Sequence, residues 1–367
     1  MFRHNILIIY RNVLRYKSSF LINLLGLSTG LACALLIYLW VADELSVDRF
    51  HQKDDQRYQV LRNVQRPDGI KTGESTPARL GESLLDEMPE VEYAVSVNTF
   101  GDWFSGEGII VYEDKQIKAK GIFASKDYFN VFSFELIQGN KDQVLADKNG
   151  VVISERLAKK VFNTTDNIIG KTFGFNHRMH FEGPLFISGV FQDTPANSTF
   201  QFDIVFNFKK LLEGDRYADQ WNAGPAETYL ILKKGTSINE FNKKISGHLF
   251  KKDPENKATL FVSRYSDKYL HGHFENGVQA GGRIEYLWLF SMIAVFILAI
   301  ACINFMNLST AQASRKMKEV GIKKTMGVNR NVLIFQFLSE SILMAFLSLT
   351  VAIVVVVLLL PQFNELT

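Results

Sequence analysis

The sequence predicts an α-helical integral membrane protein with a large α+β domain outside the lipid. Three observations carry that expectation: three charge-free apolar runs, a basic loop between the last two, and a strand-rich interval after the first. The 367 residues leave room for two or three domains, at ~100–200 residues each. The net charge of +3 comes from 41 basic and 38 acidic side chains. No region outside the membrane flanks is strongly basic, which argues against nucleic acid as a partner.

Residues 1–19 come first. Phe2, Ile6, Ile9, Tyr10, Val13 and Leu14 fall at helical spacing, with Arg3, Arg11, Asn12 and Arg15 off that face. This pattern predicts an amphipathic helix lying in the cytoplasmic interface. The first run, Phe20–Trp40, follows. A bilayer core ~30 Å thick needs about 20 apolar residues in a helix, and this run meets that length. It exceeds a secretory h-region of ~7–15 residues and lacks a clean cleavage site, so a retained span is expected. Gly26 and Gly30 stand one turn apart in it, a spacing that lets a second helix approach closely. Cys33 here and Cys302 in the second run lie in apolar surroundings, which excludes a disulfide framework or a zinc cluster.

Residues 41–285 read as a folded α+β domain. Strand-like runs at 57–64, 91–99, 116–123, 185–191, 202–208, 227–234 and 258–265 are rich in β-branched and aromatic residues and bounded by turn formers. Helices fall between them. Thr76 and Pro77 predict an N-cap and first helical position ahead of the stripe Leu80, Leu84, Leu85 and Met88. A second helix is expected from Ser154, with Leu157, Ala158 and Val161 on one side. Ser237 and Glu240 form a capping-box pattern ahead of Ile238, Phe241, Ile245 and Leu249. The alternation of the two element types suggests layered α/β packing. A smaller subdomain is conceivable around residues 135–205, without borders that pattern alone can set.

The second and third runs are Tyr286–Met306 and Ile342–Leu360, within predicted spans at 286–308 and 332–360. Trp40, Tyr286 and Trp288 suit an interfacial aromatic belt. Asn304 and Asn307 close the second run, available for bonds between helices or for interface solvation. Loop 311–331 holds Arg315, Lys316, Lys318, Lys323, Lys324 and Arg330 against the single acid Glu319, and residues 1–19 hold Arg3, Arg11, Arg15 and Lys17 without an acid. Asp43, Glu44 and Asp48 open the flank after the first run. The excess of Lys and Arg on short cytoplasmic flanks predicts one topology. The N-terminus and loop 311–331 lie inside; residues 41–285 and the C-terminus lie outside.

Chemistry is sparse. Gly170-Lys171-Thr172 lacks the P-loop glycine, since Thr165 stands in its place. H-E-x-x-H and G-x-S-x-G do not occur. His271-x-His273 and His177-x-x-His180 have no evident third ligand, and solvated histidines are the expectation. Asn163-Thr-Thr and Asn197-Ser-Thr match glycosylation acceptors, which carry little meaning if the protein is bacterial. Neither a catalytic residue nor a cofactor site is expected.

The stretch "ACINFMNLSTAQASRKMKEVGIKKTMGVNRNVLIFQFLSESILMAF" resembles the permease domain shared by the FtsX and MacB families of ABC transporters. Its core is "KMKEVGIKKTMG", followed by a "QF-x-x-E-S" entry to the next span. The segments "GIFASKDYFNVFSFELIQGN", "VVISERLAKKVF", "IIGKTF" and "ISGVFQDTPANSTFQFDIVF" resemble the MacB-like periplasmic core domain, and "NILIIYRNVLRYKSSFLINLLGLSTGLA" resembles the family's start. The resemblance implies a non-catalytic permease subunit that dimerises with itself or a second permease and pairs with a cytoplasmic ABC ATP-binding subunit. It implies mechanotransmission: ATPase motion reaches a periplasmic domain of two subdomains, Porter and Sabre, without substrate crossing a membrane pore. Export, with a periplasmic adaptor and outer-membrane channel as further partners, is the leading role; regulation of cell-wall hydrolases in the FtsX manner is the alternative. The resemblance also implies a bacterial inner-membrane location and a coupling helix that meets the ATPase. Carried onto this sequence, that helix comprises Arg315, Lys316, Lys318, Glu319, Val320, Gly321, Lys323, Lys324 and Gly327, with Arg315, Glu319 and Lys323 at i, i+4 steps. MacB itself carries a fused N-terminal ATPase, whereas this chain opens at the permease, so a separate ATPase is expected. The family permease has four spans and three are present, which leads to the expectation of a fragment, the first half of a longer tandem permease.

Overall fold

A computed structural model describes residues 17–99, 107–176, 184–214, 219–315 and 317–366. The interfacial helix expected over residues 1–19, with its apolar and basic faces, falls almost wholly outside them, as do His177 and His180. The chain divides into two units, residues 1–45 with 285–367, and residues 46–284.

Three described helices are long and apolar enough to cross a membrane: α1 (Lys17–Ser46), α9 (Ile284–Arg315) and α11 (Arg330–Leu366). Each extends beyond its apolar run at both ends, and α11 does so through Pro361, which removes one backbone donor from its last turns. Between α9 and α11 lies α10 (Met317–Thr325). Most large apolar side chains of α9 and α11 are exposed, as lipid-facing surfaces require. A small core ties α1 to α11 through Ala32, Ala352 and Val356, with Leu31, Leu35 and Leu36 against it.

The other unit is α+β. Its strands, in chain order, are β1 (Arg57–Arg66), β2 (Gly69–Gly73), β3 (Ser75–Thr76), β4 (Val91–Asn98), β5 (Glu107–Tyr112), β6 (Lys115–Ala124), β7 (Leu136–Gln138), β8 (Gly150–Ser154), β9 (Thr172–Asn176), β10 (Leu185–Phe191), β11 (Ile204–Asn207), β12 (Ala226–Leu232) and β13 (Thr259–Arg264). A hairpin of β14 (Phe274–Glu275) and β15 (Val278–Gln279) follows. The main sheet runs β11-β8-β10-β9-β5-β6-β4-β12-β1-β13. Strand β11 also pairs with β6, so the β11-to-β6 half closes on itself. The β4-β12-β1-β13 half is open and antiparallel, with Tyr58 of β1 opposite Leu230 and Arg264. Helices pack on the sheet in layers, as the alternation of elements suggests, and among the described strand pairs β8–β10 and β6–β11 are the parallel ones. Most neighbouring strands are antiparallel, and the helices do not serve as regular crossovers between parallel strands.

The short helices cover these strands. They are α2 (Leu80–Glu87), α3 (Tyr128–Val131), α4 (Glu155–Phe162), α5 (Phe208–Gly214), α6 (Ile238–Ile245), α7 (His248–Lys252) and α8 (Tyr265–His271). Leu157, Ala158 and Val161 of α4 join the core inside the closed half. Leu80, Leu84, Phe241, Ile245 and Leu249 pack on one face of the open half. An aromatic core built from Tyr128, Phe129, Phe132, Phe134, Phe191, Phe202, Tyr229 and Tyr265 fills the remaining space.

Capping followed expectation once and departed from it twice. Ser154 Oγ accepts from Leu157 N at 3.2 Å and caps α4. Thr76 is no N-cap: it lies in β3, bonded through Oγ1 to Ala226 O and Thr228 Oγ1, and Arg79 holds the N-cap position of α2. The cross-strand partners outcompete a local cap. Ser237 does hold the N-cap position of α6, but its side chain makes no capping bond, so the expected box is not formed. Leu249, expected on the α6 stripe, belongs to α7 yet reaches the same core.

Candidate functional site

The basic segment between α9 and α11 is positioned by its glycine. Gly327 has φ of 86°, a backbone state that costs any side-chain-bearing residue. Val328 N donates to Lys323 O and Gly327 N to Lys324 O, both at 3.1 Å. This pair of bonds is the Schellman motif that ends a helix on a left-handed residue. Asn329 O then accepts from Val332 N at 3.0 Å and starts α11. The chain therefore reverses within a few residues of the end of α10.

The predicted residues divide by environment. Lys323 is half-buried and its Nζ donates to Gln336 Oε1 of α11 at 3.3 Å, so part of its charge serves to fasten α10 to α11. Val320 is half-buried, while Lys324, Gly321 and Gly327 are exposed. A Cβ added at Gly321 meets nothing within 4 Å, so this glycine answers no steric need within the chain. Lys316 lies outside the described residues, as do the side chains of Arg315, Lys318 and Glu319, and with them the i, i+4 pairing expected of Arg315, Glu319 and Lys323. Charge reading missed one group: Met317, Ile322 and Met326 are 68%, 61% and 79% exposed. At 100° per residue Met317 and Ile322 fall on the half of the helix that also carries Gly321, Thr325 and position 318, away from the side on which Lys323 meets α11, and Met326 follows just past the helix end. The signal in the sequence was three large apolar residues inside a basic helix, unattached to any stripe. Chemically, α10 exposes the apolar side chains of Met317 and Ile322 beside the exposed Lys324.

Gly26 and Gly30 lie on α1 against α9. A Cβ at Gly30 would stand 2.5 Å from Ala301 Cβ, and one at Gly26 would stand 3.3 Å from Asn304 Nδ2. Trp40 meets Phe290 edge to face at 5.1 Å on the same pair of helices. Cys33 is half-buried and Cys302 exposed, both as free thiols.

The strand-rich unit holds a largely buried ion-paired cluster around Lys268. Lys268 Nζ lies 2.6 Å from Glu74 and 2.8 Å from Glu227, at the edge of a cavity of about 70 Å³ lined also by Gln59, Asp267 and His271. Burial alone would lower the Lys268 pKa, but Glu227 and Glu74 outweigh it and raise the value. His273 Nε2 lies 3.3 Å from Glu275 Oε1 on the surface. Among the described residues no group of three His, Cys, Asp or Glu side chains is placed to hold a metal. Gly170 occupies a turn with φ of 84° and Thr172 starts β9, so Gly-Lys-Thr leads into a strand rather than a helix.

Residues 20–247 match the MacB-like periplasmic core domain, and residues 291–367 match the FtsX-like permease C-terminal family. Among curated relatives, the macrolide export ATP-binding/permease protein MacB of Campylobacter jejuni is 22% identical over 371 residues, covering 98% of this chain and 54% of that protein. The protein of the same name from Aggregatibacter actinomycetemcomitans is 27% identical over 257 residues, covering 65% of this chain and 35% of that protein. The chain thus spans about half the length of the first relative it matches, and less of the second. Among solved structures, the periplasmic region of MacB from Actinobacillus actinomycetemcomitans covers 58% of this chain and 90% of its own, with 18% identity and a TM-score of 0.41.

Proposed function

The chain belongs to the MacB-like periplasmic core domain family, with an FtsX-like permease segment, and on that premise we propose that it couples ATP hydrolysis by a separate cytoplasmic ATP-binding subunit to motion of its external domain. It is a membrane protein with an extracytoplasmic domain. In this reading loop 311–331 lies in the cytoplasm of a bacterial inner membrane, residues 41–285 form the external domain, and the spans lie at 20–40, 286–308 and 332–360. The permease dimerises with itself or a second permease and performs no catalysis. Its role is export, with a periplasmic adaptor and outer-membrane channel downstream; the match across 20–247 supports this over hydrolase regulation.

The observation that carries the proposal is α10: a basic helix with an exposed apolar arc, placed between two membrane-capable helices. Positive flanks explain its sidedness, but they do not explain an open apolar surface on the watery side of a bilayer, which calls for a protein partner. In this reading the charges that the sequence carries at Arg315, Lys316, Lys318, Glu319 and Lys324 contribute to the contact, and Gly321 lets the partner's backbone come close. Gly26 and Gly30 keep α1 and α9 in register as the spans move.

The test is ATPase stimulation in proteoliposomes holding the permease and its ATP-binding subunit. Charge reversal at Glu319 together with the exposed Lys324 is expected to uncouple stimulated hydrolysis while the permease remains in the membrane. Unchanged stimulation would sink the assignment of α10 as the coupling contact.

A further inference from the structure

His51 is a buried imidazole whose tautomer the backbone dictates. It is 4% exposed, and its Nδ1 accepts from Ser133 N at 3.2 Å. A backbone N–H only donates, so Nδ1 presents its lone pair and the ring proton sits on Nε2. Nε2 is buried without a hydrogen-bond partner. Ring centroids of Phe50, Phe134, Phe132 and Tyr265 lie 4.0, 5.4, 5.5 and 5.7 Å from that of His51.

The titratable and charged groups around the ring do not favour a second proton. At the start of β1, Arg57 is fully buried, with its guanidinium 5.7 Å from the Phe132 ring and 5.6 Å from the Tyr265 ring. Its ion-pair partner Asp54 stands 3.9 Å away. From α3, Tyr128 brings a buried hydroxyl without a hydrogen-bond partner. From α8, Tyr265 OH donates to Asp48 Oδ2 at 3.1 Å. The Asp48 carboxylate is also engaged by Thr199, from N at 2.9 Å and from Oγ1 at 2.5 Å. A proton added to His51 would stand on Nδ1, facing the Ser133 N–H, with the Arg57 cation nearby. Two donors cannot share that bond, and the like charge adds to the cost.

The same contact joins two irregular stretches. Residues 47–53 are turns and bends ahead of one 3₁₀ turn at Asp54–Gln56, and residues 132–135 link α3 to β7. Besides the His51 bond, Gln52 N donates to Ser133 Oγ and Arg57 Nε to Val131 O, both at 2.8 Å. Neither stretch is assigned to a strand. Segments without ladder bonds open at lower free energy than the sheet around them. In the closed arrangement Phe50 is half-buried and Phe134 is buried in the aromatic core.

We infer that Phe50–Lys53, closed on Ser133, is an acid-sensitive latch: proton uptake by His51 releases it and uncovers Phe50 and Phe134. All of these groups lie within residues 46–284, so the device works inside one unit and responds to the medium that unit faces. Nothing in it depends on an ATP-binding subunit. Burial first, and then the Arg57 charge, lower the His51 pKa from 6.5 to about 2. A histidine depressed in the closed form takes its proton in the open form first. Closure is therefore fully supported above pH 6.5 and weakens as pH falls. The open fraction rises about 25-fold between pH 7 and pH 5.

Hydrogen exchange of the full chain in nanodiscs tests the latch, resolved to single amides and corrected for the intrinsic pH dependence of exchange. Gln52 and Ser133 report on it, because their N–H groups bond across it. Tyr229 of β12 is the reference, paired with Gln59 on one side and Val95 on the other. Gln52 and Ser133 are expected to be less protected than Tyr229, and to lose protection about 25-fold from pH 7 to pH 5. His51→Gln keeps an acceptor for Ser133 N without a titrating ring, and His51→Phe keeps the ring contacts. In both variants the loss should fall below about threefold. The inference is overturned if the wild type loses less than about threefold or if either variant retains the wild-type loss. It is equally overturned if Gln52 and Ser133 are as protected as Tyr229, because the latch would then open only when the whole unit unfolds.

Discussion

His51 is a histidine that the fold keeps neutral. It is 4% exposed, and burial together with the nearby Arg57 charge lowers its pKa from 6.5 to about 2. A histidine depressed in the folded state binds its proton in the unfolded chain first. Its contribution to stability is therefore complete above pH 6.5 and is lost progressively as pH falls toward 2. One such group should remove ~1.5 kcal/mol between pH 6.5 and 5.0. Thermal melts of the solubilised chain should show that loss in the wild type and a smaller one in His51→Phe; equal slopes would refute the assignment. None of this was legible in the sequence. His51 follows the acidic flank of the first span and looks solvated there, and its aromatic neighbours come from positions 132, 134 and 265. The same holds for Asp48, which reads as one of three flanking acids until Thr199 and Tyr265 reach it.

Glycines decide the element scale. Gly30 packs so closely on Ala301 that Gly30→Val should overfill the contact and cost roughly 1–3 kcal/mol. The readout is the melting temperature of the solubilised chain, and Ala301→Gly should restore part of the loss; failure of that rescue would place the effect elsewhere. At Gly327 nothing lies within 4 Å of an added Cβ, so the cost of Gly327→Ala is that of the left-handed backbone alone, roughly 1–2 kcal/mol. Faster amide exchange over Lys323–Val328 would register it. The apolar runs made the spans easy to read, because lipid demands about 20 continuous apolar residues. The seven strands recognised from β-branched runs are all present, with ends shifted by a residue or two. Strands β2, β3, β5, β7, β8, β9, β14 and β15 have no counterpart among those runs. Gly150–Ser154 is buried throughout, and a strand covered on both faces shows no alternation. Thr76 and Ser237 show the limit of capping patterns: a local rule names the candidate, and tertiary partners decide whether it caps.

At the scale of the whole molecule the account joins a basic, apolar-faced helix to an external α+β domain through three spans. Family membership was legible because order and spacing of motifs persist where identity is low. The character of the contact surface was only half legible. Lys and Arg mark the loop that the proposed topology places in the cytoplasm, but which side of α10 faces away from α11 depends on where Lys323 meets Gln336. Met317, Ile322 and Met326 could not be assigned to a surface without that orientation. Truncating these three to alanine should therefore weaken ATPase association at least tenfold in a detergent binding assay, an effect that raised salt does not mimic. Binding that vanishes with salt and ignores the truncations would assign the contact to charge alone.

The central claim is that α10 meets a cytoplasmic ATP-binding subunit, and a photo-cross-linker at the exposed position Ile322 tests it most directly. In membranes holding both proteins, irradiation should yield one adduct between the permease and the ATP-binding subunit, with a yield that changes when ATP is added. An adduct only with lipid or with a second permease, in membranes where both proteins are present, would contradict the account.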